Sequence, residues 1–265
     1  AFPDSRAGLT TRLHFDHYYL PSFTLGGDFL AVRALDNDTA TVLLCDVMGH
    51  GVRAALVTAM LQATTHELTQ HAREPATYFT EMNRLLHSSL GGGTQLIFVT
   101  GFYAVIDLKE MRLHYSSAGS SCALLAREQT GVTEKLDCRE GECGPALGLF
   151  DDFAYTERVT PLYPGDELVC YTDGVVEARS AKEPFGDARL LSALKERPPL
   201  PPPGQTLARG ERFEPLLARL RAFTGDDTFE DDICMVSMQL YPRLPEAETS
   251  PNDLANGTAN PVPKG

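Results

Sequence analysis

The chain has 265 residues, 43% of them hydrophobic, with 36 acidic against 23 basic side chains and a formal net charge of −13 at pH 7. That size suits one large domain or two small ones with a real core. The acidic balance excludes a phosphate-backbone or anionic-membrane surface, which needs clustered Lys and Arg, so neither a nucleic-acid partner nor direct membrane contact from this segment is expected.

No apolar run approaches the roughly 18 residues of a membrane span. The opening Ala-Phe-Pro-Asp has no signal-like core and no initiator Met, so a processed protein or a piece of a longer one is expected. Residues 1–11 read as an extension or linker remnant. Residues 12–20 alternate as a strand. Gly26-Gly27-Asp28 opens a second strand that runs to Val32. Asp36-Asn37-Asp38 supplies turn chemistry, and Thr39 to Cys45 returns as a buried third strand. Asp28 lies near the start of one strand and Asp46 near the end of the next, so antiparallel pairing through the turn sets the two carboxylates side by side.

Val52, Ala55, Leu56, Ala59, Met60 and Ala63 follow the helical i, i+3, i+4 series and predict a helix with that stripe as its apolar face. A second helix begins near Pro75, carries Tyr78, Phe79, Met82, Leu85, Leu86 and Leu90, and stops at Gly91-Gly92-Gly93. Leu96–Asp107, Arg112–Ser117 and Ala123–Ala126 read as strands, and 130–160 as turn-rich with short strands. Asp166–Thr172 is another buried strand, delivering Asp173-Gly174 at its end. Leu190, Leu191 and Leu194 mark a short helix. Five prolines in Pro198–Gly204 make a stiff surface loop. Phe213, Leu216, Leu217, Leu220 and Phe223 restore a helical face, and Ile233–Leu240 is the last strand, introduced by Asp231-Asp232. From Pro242 to 265 the chain is polar and proline-bearing, read as a disordered tail. Many strands with helix pairs inserted mid-way and near the end predict stacked sheets between helix layers.

Cys45, Cys170 and Cys234 lie in apolar strands, where a free thiol behaves as a small hydrophobe. Cys138 and Cys143 flank four residues and are placed for local pairing, but one C-x4-C is a weak metal signal. Reduced thiols in a cytoplasmic protein, or in the cytosolic part of a larger or membrane-anchored one, are the expectation.

The chemistry concentrates in Asp28, Asp46, Asp173 and the Asp231-Asp232 pair, each at a strand end beside small or apolar residues. A carboxylate ending a buried strand carries a desolvation penalty unless something positive offsets it, and Cys45–Gly51 contains no Lys or Arg. Converging carboxylates repel one another, and hard divalent cations resolve this with oxygen ligands. Two such ions roughly 3.5–4 Å apart activate a water for in-line displacement at phosphorus. The bland alternatives are that Asp46 caps the following helix and that the others are turn aspartates.

Gly-Gly-Asp-Phe (26–29), Asp-Val-Met-Gly-His-Gly (46–51), Ser-Ser-Ala-Gly (116–119) and Pro-Ala-Leu-Gly-Leu-Phe (145–150) occur in this order. Tyr-Thr-Asp-Gly-Val-Val-Glu-Ala-Arg (171–179), Phe-Gly-Asp-Ala-Arg-Leu (185–190) and Asp-Asp-Ile-Cys (231–234) complete the set. From about residue 12 to 241 the chain resembles the metal-dependent Ser/Thr protein phosphatase superfamily, in its bacterial SpoIIE/RsbU-like branch. The resemblance implies an α/β (α+β) domain with a central sandwich of two mostly antiparallel sheets in α-β-β-α layers. It also implies two Mn²⁺ or Mg²⁺ ions at one end.

Carried over motif by motif, Asp46 bridges both ions and the Val47 carbonyl binds one. Asp173 and Asp231 complete the other, and Asp28 is a direct or water-mediated ligand. A metal-activated water would attack a phosphoserine or phosphothreonine without a covalent phosphoenzyme. The branch implies a phosphorylated regulatory substrate of the anti-sigma-factor-antagonist type and an upstream sensor or receiver module, with helical elements near the domain's start controlling whether the carboxylates gather. It leaves a homodimer and the roles of His50 and Asp232 open. Met48 stands where eukaryotic relatives carry a His proposed as the leaving-group acid, so that role is unassigned. Ser120, Val176 and Cys234 also depart from usual residues.

The runner-up function is a non-catalytic relative that binds and regulates a partner, although four mutually repelling aspartates have no use there. A two-metal nuclease conflicts with the acidic balance. Gly-Gly-Asp-Phe lacks the Glu of the nucleotide-cyclase motif it echoes, and later motifs do not fit that reading.

Overall fold

The computed structural model describes residues 12–90, 96–119, 123–136, 143–180, 183–203, 205, 208–226 and 229–241. The N-terminal extension, the triple glycine, Ser120, Cys138 and the tail from 242 lie outside them.

Strand β2 (Asp28–Ala34) turns through Asp36–Asp38 into β3 (Thr39–Val47), which pairs onward with β4 (Val99–Asp107). Strands β5 (Arg112–Ala118) and β8 (Arg158–Pro161) complete a five-stranded sheet in the order β2-β3-β4-β5-β8. A second five-stranded sheet joins β1 (Leu13–Leu20), β12 (Ile233–Leu240), β9 (Glu167–Tyr171), β6 (Ala123–Ala126) and β7 (Thr133–Lys135), in that order. Every strand pairing in both sheets is antiparallel.

The period of two along each strand sorts side chains between layers. Val42 and Leu44 of β3, Val32 of β2, Cys170 of β9 and Val236 and Met238 of β12 meet in the core between the sheets. Leu43, Cys45 and Val47 of β3 point the other way, against α1 (Val52–Glu67) and α2 (Pro75–Leu90), where Val57, Leu61, Phe79 and Met82 cover them. The other sheet turns Val169, Tyr171, Ile233 and Met235 outward onto α4 (Gly186–Leu194) and α5 (Glu214–Thr224). The four layers are therefore helix, sheet, sheet, helix, as the sequence predicts.

Three differences bear on the site. First, β3 continues to Val47, so Asp46 is a strand residue, and the N-cap of α1 is Gly51 with no side-chain cap. The capping role for Asp46 is excluded. Second, α1 is rotated relative to expectation. Its buried residues are Ala54, Val57, Leu61, Thr64 and Thr65, whereas Val52 and Leu56 are 68% and 63% exposed. The helix is apolar on two faces, and the narrower one packs on β2 and β3, leaving the predicted stripe outward. Third, the short helix α3 (Gly174–Glu177) and the ribbon of β10 (Arg179–Ser180) with β11 (Glu183–Pro184) follow β9. Elements of two to four residues carry no periodicity to read.

Cys45, Cys170 and Cys234 are buried thiols outside any disulfide, but Cys143 is disulfide-bonded, against the all-reduced expectation. A cysteine on a turn-rich segment is free to reach a partner in a way that one fixed within a sheet is not. Among the described residues no helix is long and apolar enough to cross a membrane.

Two ends of the sandwich differ in charge. At one, Leu13 pairs with Leu240, and the buried Glu167 on β9 accepts from Arg197 Nη1 at 2.5 Å and Arg212 Nη2 at 3.2 Å. At the other, Leu20 pairs with Ile233, and the aspartates assemble.

Candidate metal centre

Strand pairing sets Asp28 directly opposite Asp46. Both share the parity of the residues that face the inter-sheet core, so the two carboxylates enter the same end of the sandwich. Thr172, which follows β9, reaches over from the other sheet. Its Oγ1 donates to Asp28 Oδ2 at 2.7 Å and accepts from the Cys234 N–H at 3.1 Å. Asp173, next along, lines a cavity of about 50 Å³ with Asp46, Thr100 and Thr172. A Cβ on Gly174 would lie 2.1 Å from the Asp232 carbonyl oxygen and 3.3 Å from Asp231 Cβ. Only glycine lets the corner after β9 lie so close to the start of β12, and that closeness brings Asp173 beside Asp231. Gly27 is similarly confined, since a Cβ there would meet the Val47 carbonyl oxygen at 2.9 Å.

Asp232 does something else. Its Oδ1 accepts from Ser22 N at 2.7 Å and Ser22 Oγ at 3.0 Å, while Oδ2 accepts from Gly27 N at 2.7 Å and Asp28 N at 3.3 Å. Both oxygens are committed to backbone and hydroxyl donors, so Asp232 pins the 22–28 segment and with it Asp28. The alternation of β12 carried the signal, because Asp232 shares the inward parity of Cys234 and Val236. Thr172 and Asp232 are the positioning residues that sequence reasoning left unassigned. His50 is exposed and stacks on Phe23, ring centroids 4.4 Å apart, away from hydrogen-bonding partners among the described residues.

Electrostatics mark the end as unbalanced. Burial, then the Asp46 charge, pushes the Asp28 carboxyl up to about 9, with the Thr172 hydrogen bond opposing. Burial, then Asp173 and Asp231, raises Asp46 to about 7. Burial and then Asp231 raise Asp173. The leading charges acting on all three are acidic, and carboxylates whose strongest charge interactions are with one another are under-compensated. The donor set is carboxylate and backbone carbonyl oxygen throughout, which fits hard divalent ions in kind. As placed, no three His, Cys, Asp or Glu among the described residues form a ready coordination group. The aspartates therefore share one end and interact without being drawn into a shell.

Residues 36–241 match the Stage II sporulation protein E (SpoIIE) family. The chain belongs to that family, in the SpoIIE/RsbU-like branch of the metal-dependent Ser/Thr protein phosphatase superfamily. It is 27% identical over 191 residues to the phosphoserine phosphatase RsbP of Bacillus subtilis, covering 72% of this chain and 45% of that protein. It is 25% identical over 161 residues to the phosphoserine phosphatase RsbU of the same organism, covering 61% and 46%. The chain thus spans less than half the length of either. Among solved structures, the SiaA-PP2C domain of Pseudomonas aeruginosa superposes with a TM-score of 0.70 at 23% identity, covering 89% of this chain and 88% of that one, which shows the fold.

Proposed function

We propose that the chain is a metal-dependent protein serine/threonine phosphatase acting on a phosphorylated regulatory protein. The observation that carries this reading is the gathering of Asp28, Asp46, Asp173 and Asp231 at one sandwich end, where the leading charges on Asp28, Asp46 and Asp173 are those of other carboxylates. Two relatives named as phosphoserine phosphatases support the reaction class. Asp46, the Val47 carbonyl, Asp173 and Asp231 would hold two ions, Mn²⁺ or Mg²⁺, with Asp28 a direct or water-mediated ligand. Bound there, the ions supply Lewis acidity toward the phosphoryl oxygens and an activated water.

The chain's own residues prepare that chemistry. Thr172 fixes one oxygen of Asp28, leaving the other to face Asp46. Asp232 holds the Gly26-Gly27 segment so that Asp28 enters the sheet in register. Burial of Asp28 and Asp46 lowers the dielectric around their carboxylates, which strengthens their hold on a cation. Mutual repulsion opposes closing of the aspartates without ions, so apparent metal affinity is reduced in proportion as the fraction of chains already closed is small. An upstream module that favours the closed arrangement would raise both affinity and turnover.

The likeness to the phosphoserine phosphatases RsbU and RsbP supports a phosphorylated protein substrate, which we propose is of the anti-sigma-factor-antagonist type and is met in the cytoplasm. Dephosphorylation of candidate phosphoproteins from the same genome, with and without Mn²⁺, tests the assignment. Loss of phosphate only with metal supports it, and release undiminished by chelator contradicts it. No observation favours a binding-only role, which gives no reason for the uncompensated aspartates.

A further inference from the structure

Five of the ten exposed large apolar side chains among the described residues fall in two short segments next in the chain to Asp28 and Asp46: Phe23, Leu25, Met48, Val52 and Leu56. The segments touch. Phe23 stacks on His50 with an interplanar angle of 17°, and a Cβ on Gly27 would contact Gly49 O at 3.1 Å and Ala54 Cβ at 3.4 Å. Val52 and Leu56 stand one turn apart on the outward face of α1 and extend the ledge away from the site. Asp232 anchors the 22–28 side of this surface through Ser22 and Gly27, so the ledge is built rather than loose. Met48 follows Val47 directly, which makes the ledge continuous with the site.

We infer that this ledge is the docking surface for the polypeptide flanking the phosphorylated residue, and that it takes apolar flanks. This rests on the phosphatase reading. A phosphoserine that reaches Asp46 brings its flanking chain close to Met48, two residues further on, and to the Phe23–His50 stack beside it. Within residues 22–25 and 48–56 Arg53 is the one Asp, Glu, Lys or Arg, so the ledge itself offers apolar contact rather than a run of charge. Affinity for a protein substrate then comes from covering Phe23, Met48 and Leu56, with the stacked ring as anchor.

The probes are two short synthetic phosphoserine peptides, one flanked by Leu and Val and the other by Ser and Gly, with p-nitrophenyl phosphate as a small ester, all with Mn²⁺. The aliphatic peptide should give a kcat/KM about tenfold or more above the polar one, through KM. Phe23→Ala and Leu56→Ser should each erase most of that difference and leave p-nitrophenyl phosphate turnover unchanged. Equal kcat/KM for the two peptides on the parent chain overturns the inference. So does a parallel loss of peptide and small-ester turnover in both variants, or a peptide preference kept while the variants dissociate a dimer in sedimentation. Failure of the phosphatase reading shows separately, as no metal-dependent turnover of the small ester by the parent. In that case peptide binding by calorimetry still reads the ledge, and equal affinity for the two peptides overturns it.

Discussion

Asp231 and Asp232 are adjacent and chemically identical, yet their replacements should behave in opposite ways. In Asp232→Asn one side-chain oxygen becomes an amide that donates. Whichever way the amide turns, it faces either Ser22 N and Oγ or Gly27 N and Asp28 N, all of which now donate into the carboxylate at 2.7–3.3 Å. In the better orientation Ser22 Oγ turns to accept from the amide, so the Ser22 N–H bond to a charged acceptor is lost, at about 1.5–3 kcal/mol, and a buried donor is left facing that N–H. A cost of about 3–5 kcal/mol is expected, a large part of a typical domain's 5–15 kcal/mol. Asp231→Asn removes one of several repelling charges and should leave metal-free stability unchanged or slightly raised. Urea unfolding of both variants without metal, compared at constant m, measures the contrast. Equal midpoints for the two would refute the assignment of Asp232 as the residue that pins the 22–28 segment.

At the far end of the sandwich, Glu167→Gln strands the buried Arg197 and Arg212 and should cost about 3–5 kcal/mol in unfolding, with the metal-dependent activity of the surviving folded fraction intact. Loss of specific activity in folded protein would contradict the separation of the two ends. The pH dependence follows from the raised carboxyls. The folded chain keeps protons that the unfolded chain, with carboxyls near 3.8, has released, so their contribution to stability is present below that value. It is lost as pH rises through about 7 for Asp46 and about 9 for Asp28. Metal-free protein should therefore unfold at lower urea at pH 9 than at pH 6, and saturating Mg²⁺ should remove most of the difference. A midpoint that rises with pH in chelator would have the sign wrong.

The pairing of Asp28 with Asp46 is legible in the sequence because a short Asp-Asn-Asp turn between two alternating runs fixes the register, and register fixes both face and neighbour. The strand-end positions of Asp173 and Asp231 are legible for the same reason. The face of α1 is not. Its residues are apolar on both sides, so periodicity identifies a helix without saying which side the sheet takes, and Ala54, Val57 and Leu61 lie inward against the larger stripe. Asp232 is missed because a pair of adjacent acids reads as one feature until the inward parity of β12 separates them. The bonded state of Cys143 runs against the reduced expectation because spacing in sequence does not report redox state. The position of Asp46 within β3, ahead of an uncapped Gly51, could not be told from a cap by spacing alone.

The central claim is that Asp46 holds catalytic metal rather than supporting the fold. Calorimetric Mn²⁺ titration, run beside p-nitrophenyl phosphate turnover on the parent chain and on Asp46→Asn, tests it most directly. Metal binding and chelator-sensitive turnover by the parent are predicted, with both falling by orders of magnitude in Asp46→Asn while its metal-free urea midpoint stays at or above the parent's. Near-parental metal affinity and turnover in a folded Asp46→Asn would contradict the account.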